Sequence, residues 1–424
     1  MSTDSTSVRG IVRQLFSFER DVLVLSLSMF AFSLGFQMTG RYMGRYLDLL
    51  GASAFVIGLY GTVGNVIGFA YPYPGGAVSD RIGSRTALTL FGLLSTLGFV
   101  VWFAAGSLGF GVGAVFLGLL LVQCWQSFGL GATFAIVKQS VADERLATGF
   151  ASTETVRRTA FLVGPLLASA LIATYGFGLG FRYVVGVAAV VALVGTVAQH
   201  RLYDPSGDAL GKSFEGIGQL VDDLRGLPPE LPPLLLGDTL VRFANGMVYT
   251  FFVIVVTQFL EVDVTLPVVG YLSPDALFGV LLAVEMAVAL LTMVPVAALT
   301  RRVGLKPVVA LGFAVYAVFP VLLISAPADP LVVTLLFAVS GLRFAGLPAH
   351  KALIVGPAER NEGGRVTGAY YLVRNFVVIP SSALGGLIYG FSPRLAFGAA
   401  SAVGLLGVVL FLAFGKDFDA AVAA

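Results

Sequence analysis

The sequence predicts an all-α polytopic membrane protein, with twelve transmembrane helices in two pseudo-symmetric six-helix halves. Three observations predict it. Apolar runs such as "VLVLSLSMFAFSLGFQM" and "VAAVVALVGTVA" are too long and too continuous for solvent. Lys and Arg collect on one side of those runs. A short turn motif, "DRIGSR" at 80–85, returns as "RRVGLK" at 301–306.

The composition supports the class. Hydrophobic residues make up 57% of the 424 and charged residues 12%, about half the share of a soluble domain. A membrane helix needs about 20 mostly apolar residues, and these runs reach that length. In lipid every backbone polar group must be satisfied within the segment, which favours helices. A β-barrel would instead alternate in stretches of about 10 residues. Residues 1–21 are polar and charged, without the apolar core of a cleavable signal peptide. Cys124 is the single cysteine, so an internal disulfide is excluded and a packing role is expected. A net charge of +2 without a basic patch gives nucleic acid no surface to bind.

The spans are expected at 21–46, 54–74, 86–106, 111–137, 147–175, 180–200, 234–260, 276–299, 307–326, 330–355, 365–390 and 394–415. Three domains follow: an N-terminal six-helix half (1–199), a cytoplasmic linker (200–233) and a C-terminal six-helix half (234–424). The linker is the longest polar stretch and contains the helix breaker "LPPELPP". With both termini inside, inside segments hold seventeen Lys and Arg. Outside segments hold only Arg41, Arg45, Arg182 and Arg394. That bias orients the chain in a cytoplasmic (plasma) membrane and requires an even number of spans. "LIATYGF" and "LIYGF" end the fifth span of each half, a second internal match. Repeats of this kind mark transporters whose substrate site lies near the midplane.

The motif "GGAVSDRIGSRTAL" resembles the loop between spans 2 and 3 of the major facilitator superfamily (MFS), with matches at Gly76, Asp80, Arg81, Gly83 and Arg85. Ser84 departs from the pattern, where a basic residue is common. The resemblance covers essentially the whole chain and implies the MFS fold. It also implies an inside-face latch, in which Asp80 meets the N-terminus of span 11, "NEGGRVTG". Span 4 ("LLLVQCWQSFGLGATFA") and "GPLLAS" of span 5 are similar to drug/proton antiporter-like groups. Gln123 stands where those proteins carry an arginine. Gln126, Gly164 and Pro165 fit the patterns.

Ionisable residues at bilayer depth are costly and therefore functional candidates. Spans 3, 6, 9 and 12 carry none except at their ends. Glu154, Arg157, Arg158, Asp238, Arg242, Glu285, Arg343 and Arg374 fall in spans 5, 7, 8, 10 and 11. In the family these spans surround the cavity while 3, 6, 9 and 12 face lipid. At 1.5 Å per residue, Glu285, Arg343 and Arg374 lie within about 5 Å of the midplane. Arg343 falls about one repeat after Gln123, and Glu285 about one repeat after Asn65. Glu285 is expected to bind and release a proton, with Arg343 and Arg374 as its counter-ions. Asp238 and Arg242, four apart, form a second pair. Arg41 and Arg45 of "RYMGRY" read as an interfacial anchor with Tyr42 and Tyr46, or as a vestibule for anions. Gln37, Asn65, Gln123, Gln126, Asn245 and Tyr249 complete the candidate cavity set.

The expected function is secondary active transport of a small organic molecule by alternating access, coupled to protons and directed outward. The chain is expected to act as a monomer in the lipid bilayer, without cofactor or metal. The three acidic and five basic interior residues suit an anionic, zwitterionic or neutral substrate rather than a hydrophilic cation. The alternative is an organic-anion or organophosphate exchanger or importer that uses the cavity arginines. A membrane sensor or an embedded enzyme fits less well. Two histidines (His200 and His350, both placed at inside ends) and no nucleophile–base motif or nucleotide loop argue against catalysis. If Asp80 latches the inside face, Asp80→Asn shifts the protein toward its inward-open state. Inside-face cysteine accessibility measures this, and an unchanged balance reduces the motif to a turn.

Overall fold

The computed structural model describes residues 20–106, 111–129, 132–133, 136–137, 146–205, 227–267, 270–357 and 363–417. Ten of its helices are long and apolar enough to cross a membrane, among them Arg20–Leu49, Ser84–Ala105, Pro274–Met293 and Pro393–Phe414. The longest, Thr155–Leu202, divides at Gly176, whose φ of 71° and ψ of 169° break the helix. A bent pair, Ala54–Ala70 with Pro74–Ile82, supplies one more span. Counted with that break and that bent pair, the described residues hold twelve spans in the order expected; the inner end of the fourth, expected at 137, lies largely outside the described residues.

Lipid explains the surface. Leu90, Leu93, Leu97 and Val100 of span 3 are all exposed, at helical spacing. Val187, Val190, Val194 and Val197 do the same on span 6, and Leu405, Leu412 and Val409 on span 12. Such stripes are unstable in water and match hydrocarbon.

The chain forms two compact units. The first comprises Met1–Gly40, Ala70–Leu167 and Phe181–Phe214. Its tightest joint is between spans 3 and 4. Ser95 Oγ donates to Val122 O at 2.8 Å and accepts from Trp125 N at 2.8 Å. It thus serves backbone groups at the π-helical turn Cys124–Phe128, where the ordinary helical ladder is broken. Trp125 stacks on Phe32 of span 1, centroids 4.2 Å apart.

The second unit comprises Arg41–Phe69, Ala168–Gly180 and Glu215–Ala424. Segments of spans 1, 2 and 5 are therefore packed with the C-terminal helices. Span 1 makes this division at a 3₁₀ turn, Gly40–Tyr42, which leads into the helix Met43–Leu49. Span 2 meets span 11 so closely that a Cβ at Gly58 would collide with Ser382 O and Gly386 Cα. Ser169 Oγ of span 5 donates to Ala276 O of span 8 at 2.7 Å. Between spans 7 and 8 lies a two-stranded antiparallel hairpin, β1 (Val264–Leu266) with β2 (Gly270–Leu272), which the hydropathy pattern does not announce.

The repeated turn is reproduced in backbone geometry. Gly83 ends the helix Pro72–Ile82 and opens Ser84–Ala105 with φ 83° and ψ 150°. Gly304 joins Pro274–Val303 to Leu305–Ile324 with φ 86° and ψ 172°. This region is essentially open to glycine alone. The second match is not reproduced: Gly176 is a break, whereas its partner Gly390 lies inside the helix Ser381–Phe391. There the turn is made two residues later by Ser392, whose side chain caps the next helix at Leu395 N.

Gly83→Ala and Gly304→Ala should each destabilise their unit by about 1–3 kcal/mol, the usual cost of a non-glycine residue there. Gly390→Ala should fall within about 1 kcal/mol of the parent because its backbone is helical. Thermal unfolding in detergent reads the difference.

Candidate functional site

The second unit gathers the intramembrane charges into two linked clusters. The first is built on Glu285, eleven residues into the helix Pro274–Val303 and 3% exposed. Its Oε1 accepts from Arg343 Nη2 at 2.6 Å and from Ser340 Oγ at 2.5 Å. Ser340 and Arg343 are one turn apart on Pro330–Ala345, so both reach the same oxygen. Gly341 on that helix allows the two backbones to approach at Glu285 O. Oε2 accepts from Arg41 Nη2 of span 1 at 3.2 Å. Arg41 Nη1 in turn donates to the hydroxyl of Tyr249, and the guanidinium lies 4.5 Å over that ring.

The second cluster is built on Asp238, fully buried in the helix Leu231–Val248. Oδ1 accepts from Arg242 Nε at 3.3 Å. Oδ2 accepts from Arg374 Nη1 at 3.1 Å and from the Tyr370 hydroxyl at 3.2 Å. His350 Nε2 lies 3.3 Å from the same oxygen, close enough for an ion-pair contact but without the alignment of a hydrogen bond. Arg374 also holds Asn375 Oδ1. Tyr316 links the clusters. Its hydroxyl accepts from Arg242 Nη1 at 3.0 Å, and its ring carries Arg343 5.0 Å from the centroid.

The expected pairs are thus partly re-sorted. Glu285–Arg343 and Asp238–Arg242 form. Arg374 does not reach Glu285; it neutralises Asp238 instead. Arg41 and Arg45 are not an interfacial anchor. Arg41 takes the Glu285 position expected for Arg374, and Arg45 pairs with Asp275 at 3.2 Å and Asp48 at 2.9 Å. His350 is 4% exposed within the Asp238 cluster, not at a helix end in solvent. Asn65 reaches Val378 O at 3.4 Å, and Asn245 is half-buried.

The remaining candidates belong to the first unit. Gln37 packs against Gly164, Gln123 is half-buried and Gln126 is exposed. Arg157 and Arg158 are half-buried, and Arg157 lies 5.6 Å from the Phe161 ring. The side chain of Glu154 lies outside the described residues, as do Asn361 and Glu362, the proposed neighbours of Asp80. Arg41, Ser340, Tyr316, His350 and Tyr370 are the participants that sequence reasoning missed. A signal existed for Arg41: an arginine four residues before another, at the end of an apolar span.

The paired carboxylates and arginines of the second unit thus stand on helices long and apolar enough to cross a membrane. Residues 234–421 match the family model described as Major Facilitator Superfamily. An uncharacterized MFS-type transporter of Methanocaldococcus jannaschii is 21% identical over 401 residues, covering 93% of this chain and 94% of its own. A putative uncharacterized MFS-type transporter of Mycobacterium tuberculosis is 30% identical over 187 residues, 43% of this chain and 41% of its own. The fold is that of the nucleoside transporter NupG, with a TM-score of 0.75 at 13% identity over 93% of this chain and 99% of that one. A POT peptide transporter crystallised with sulfate gives a TM-score of 0.71 at 16% identity, over 95% and 98%.

Asp238 neutralises two arginines with no exposure to water. Asp238→Ala should therefore destabilise the protein by about 3–5 kcal/mol, the cost of leaving buried charge uncompensated. Asp238→Asn should cost less, because it keeps the acceptor for Arg374 and Tyr370. Tm in detergent, with monodispersity as the control, checks the order.

Proposed function

We propose that this chain is a proton-coupled secondary transporter that exports a small organic molecule by alternating access, with Glu285 as the proton carrier. One observation carries the reading: a single buried carboxylate is shared between span 1, through Arg41, and span 10, through Arg343 and Ser340. Deprotonated, Glu285 ties these spans together. Protonated, it loses its charge and retains a hydroxyl to donate, so the longer contact to Arg41 is the first to weaken. The segment of span 1 beyond Gly40 then loses its electrostatic hold on spans 8 and 10. Proton binding and the movement of a gate are thereby one event. With both termini on the cytoplasmic side of the plasma membrane, Arg41 and Tyr249 lie toward the outside.

The Asp238 cluster acts in this reading as a second charge pair that keeps spans 7, 10 and 11 together. Outward transport is supported by the antiporter-like "GPLLAS" segment, whose Gly164 lets span 5 pack on Gln37 of span 1. The competing reading, an exchanger or importer of organic anions, is favoured by the excess of arginine over carboxylate in the two linked clusters, where Arg41, Arg242, Arg343 and Arg374 meet Glu285 and Asp238. The protein is proposed to work as a monomer.

Glu285→Gln should abolish proton-driven transport in proteoliposomes while leaving expression and Tm near the parent, since the amide still accepts from Arg343 and Ser340. Substrates come first from thermal-shift screening of drugs, organic anions and sugars at two pH values. Undiminished pH-driven flux in the variant would remove Glu285 from the mechanism.

A further inference from the structure

His350 is a buried titratable side chain for which the transport cycle above has no use. It stands on the helix Leu347–Val355, in the last part of span 10, and its side chain is 5% exposed. Its Nε2 lies 3.3 Å from Asp238 Oδ2. That oxygen is already taken. A carboxylate oxygen offers about two lone-pair sites. Arg374 Nη1 at 3.1 Å and the Tyr370 hydroxyl at 3.2 Å fill them. His350 is a third claimant, and its Nε2 makes no hydrogen bond among the described residues.

A proton on the imidazole changes its claim. An imidazolium donates from both nitrogens and carries a charge. A charge-assisted hydrogen bond is roughly twice as strong as a neutral one. Two cations on one oxygen repel, whereas the Tyr370 hydroxyl is neutral, so Arg374 is the donor that must yield. Arg374 has other support. Its Nε and Nη2 hold Asn375 Oδ1, its guanidinium lies 4.5 Å from the Tyr371 ring, and its side chain is 16% exposed. Arg242 is not in contest, because it uses Oδ1 and the Tyr316 hydroxyl.

The described charged and titratable groups around His350 come from four spans. Span 7 gives Asp238 and Arg242, and span 11 gives Tyr370, Tyr371 and Arg374. Span 9 gives Tyr316, with Lys306 at its inner end, and span 10 itself gives Arg343 and the exposed Lys351. Span 8 has no ionisable residue between Glu285 and Arg301. Asp238 alone among them carries negative charge. A cavity of about 10 Å³, room for one water, is lined by His350 together with Arg242, Tyr316 and Arg343. A water there has polar neighbours and can pass a proton to the ring.

We propose that His350 is a second proton site, and that its protonation transfers Asp238 Oδ2 from Arg374 to His350. The step adds one proton, drawn from solvent, to the unprotonated ring nitrogen; only hydrogen bonds are exchanged. Span 11 is then tied to Asp238 of span 7 by Tyr370 alone. The part this plays in transport rests on the proton-coupled reading above. The exchange at Asp238 does not, and it is measured apart from Glu285.

Histidine-selective ¹³C labelling of the purified full chain in detergent gives two imidazole signals, from His200 and His350, and His200→Gln assigns them. The His350 signal should titrate in a single step across the pH range in which Tm shows the fold intact. In Arg374→Gln the rival cation is gone, so His350 should bind its proton at least about tenfold more tightly. Crystals of the unmodified protein grown on either side of the step should show His350 Nε2 within hydrogen-bond distance of Asp238 Oδ2 at the acidic pH, with Arg374 Nη1 withdrawn. His350 should still titrate in Glu285→Gln, so a loss of proton coupling there is separable from a failure here. A His350 signal that never titrates, a step that Arg374→Gln leaves in place, or an Arg374–Asp238 contact unchanged at the acidic pH overturns the proposal.

Discussion

The second unit is organised by the cost of a carboxylate in hydrocarbon. An ionised Glu285 at 3% exposure survives only if donors reach both of its oxygens. Those donors come from spans 1 and 10, so three helices must converge on one point. Asp238 imposes the same requirement on spans 7, 10 and 11. Apolar packing between helices in lipid gains little, because lipid tails are as apolar as leucine. Polar convergence therefore specifies which helices are neighbours, and small residues such as Gly341 and Gly386 let them approach.

The same constraint makes the arrangement responsive. A pair whose attraction is strong in a low dielectric changes greatly when one proton neutralises it. Arg41, the partner of Glu285, also stands at a division of the chain. Arg41 follows Gly40 directly, at the 3₁₀ turn where span 1 passes from the first unit to the second. An electrostatic hold at such a joint acts on a segment that the backbone already allows to bend. The proposed proton site is thereby coupled to motion of this segment without requiring the rest of span 1 to move.

Depth in the membrane was legible in the sequence, and azimuth was not. Hydropathy fixes where a helix enters and leaves lipid, so the order and number of the spans follow from it. Residue counting then put Glu285 and Arg343 at similar depth, and they meet. The same counting suggested Arg374 for Glu285, although it faces Asp238. Depth along an axis says nothing about the side of the helix a residue occupies, and in a helix apolar all round no hydrophobic stripe betrays the buried face. Arg41 and His350 were misread for a related reason. Each was counted near a span end, where solvent is the default partner, yet each is drawn into a cluster by a carboxylate on another helix. The β1–β2 hairpin was missed because a strand of three residues is shorter than any periodicity that could signal it.

The repeated turn shows how the two halves differ. Gly83 and Gly304 share one backbone conformation, and each turn is tied to the end of the sixth span of its own half. In the first, Arg85 Nε donates to His200 O at 2.8 Å, a cation meeting the carbonyl end of a helix. In the second, Asp417 Oδ1 accepts from Leu305 N and Lys306 N at 3.1 Å each, an acid meeting the amide end of one. The polarity of the tie is reversed while its place is kept. The acid that the second turn lacks, with Arg301 where the first has Asp80, is supplied in space by the segment after span 12. Asp80 is not needed for the tie in its own half, because Arg85 makes that contact. Its carboxylate is thereby free for another partner, whereas the acid of the second half is committed to holding its turn.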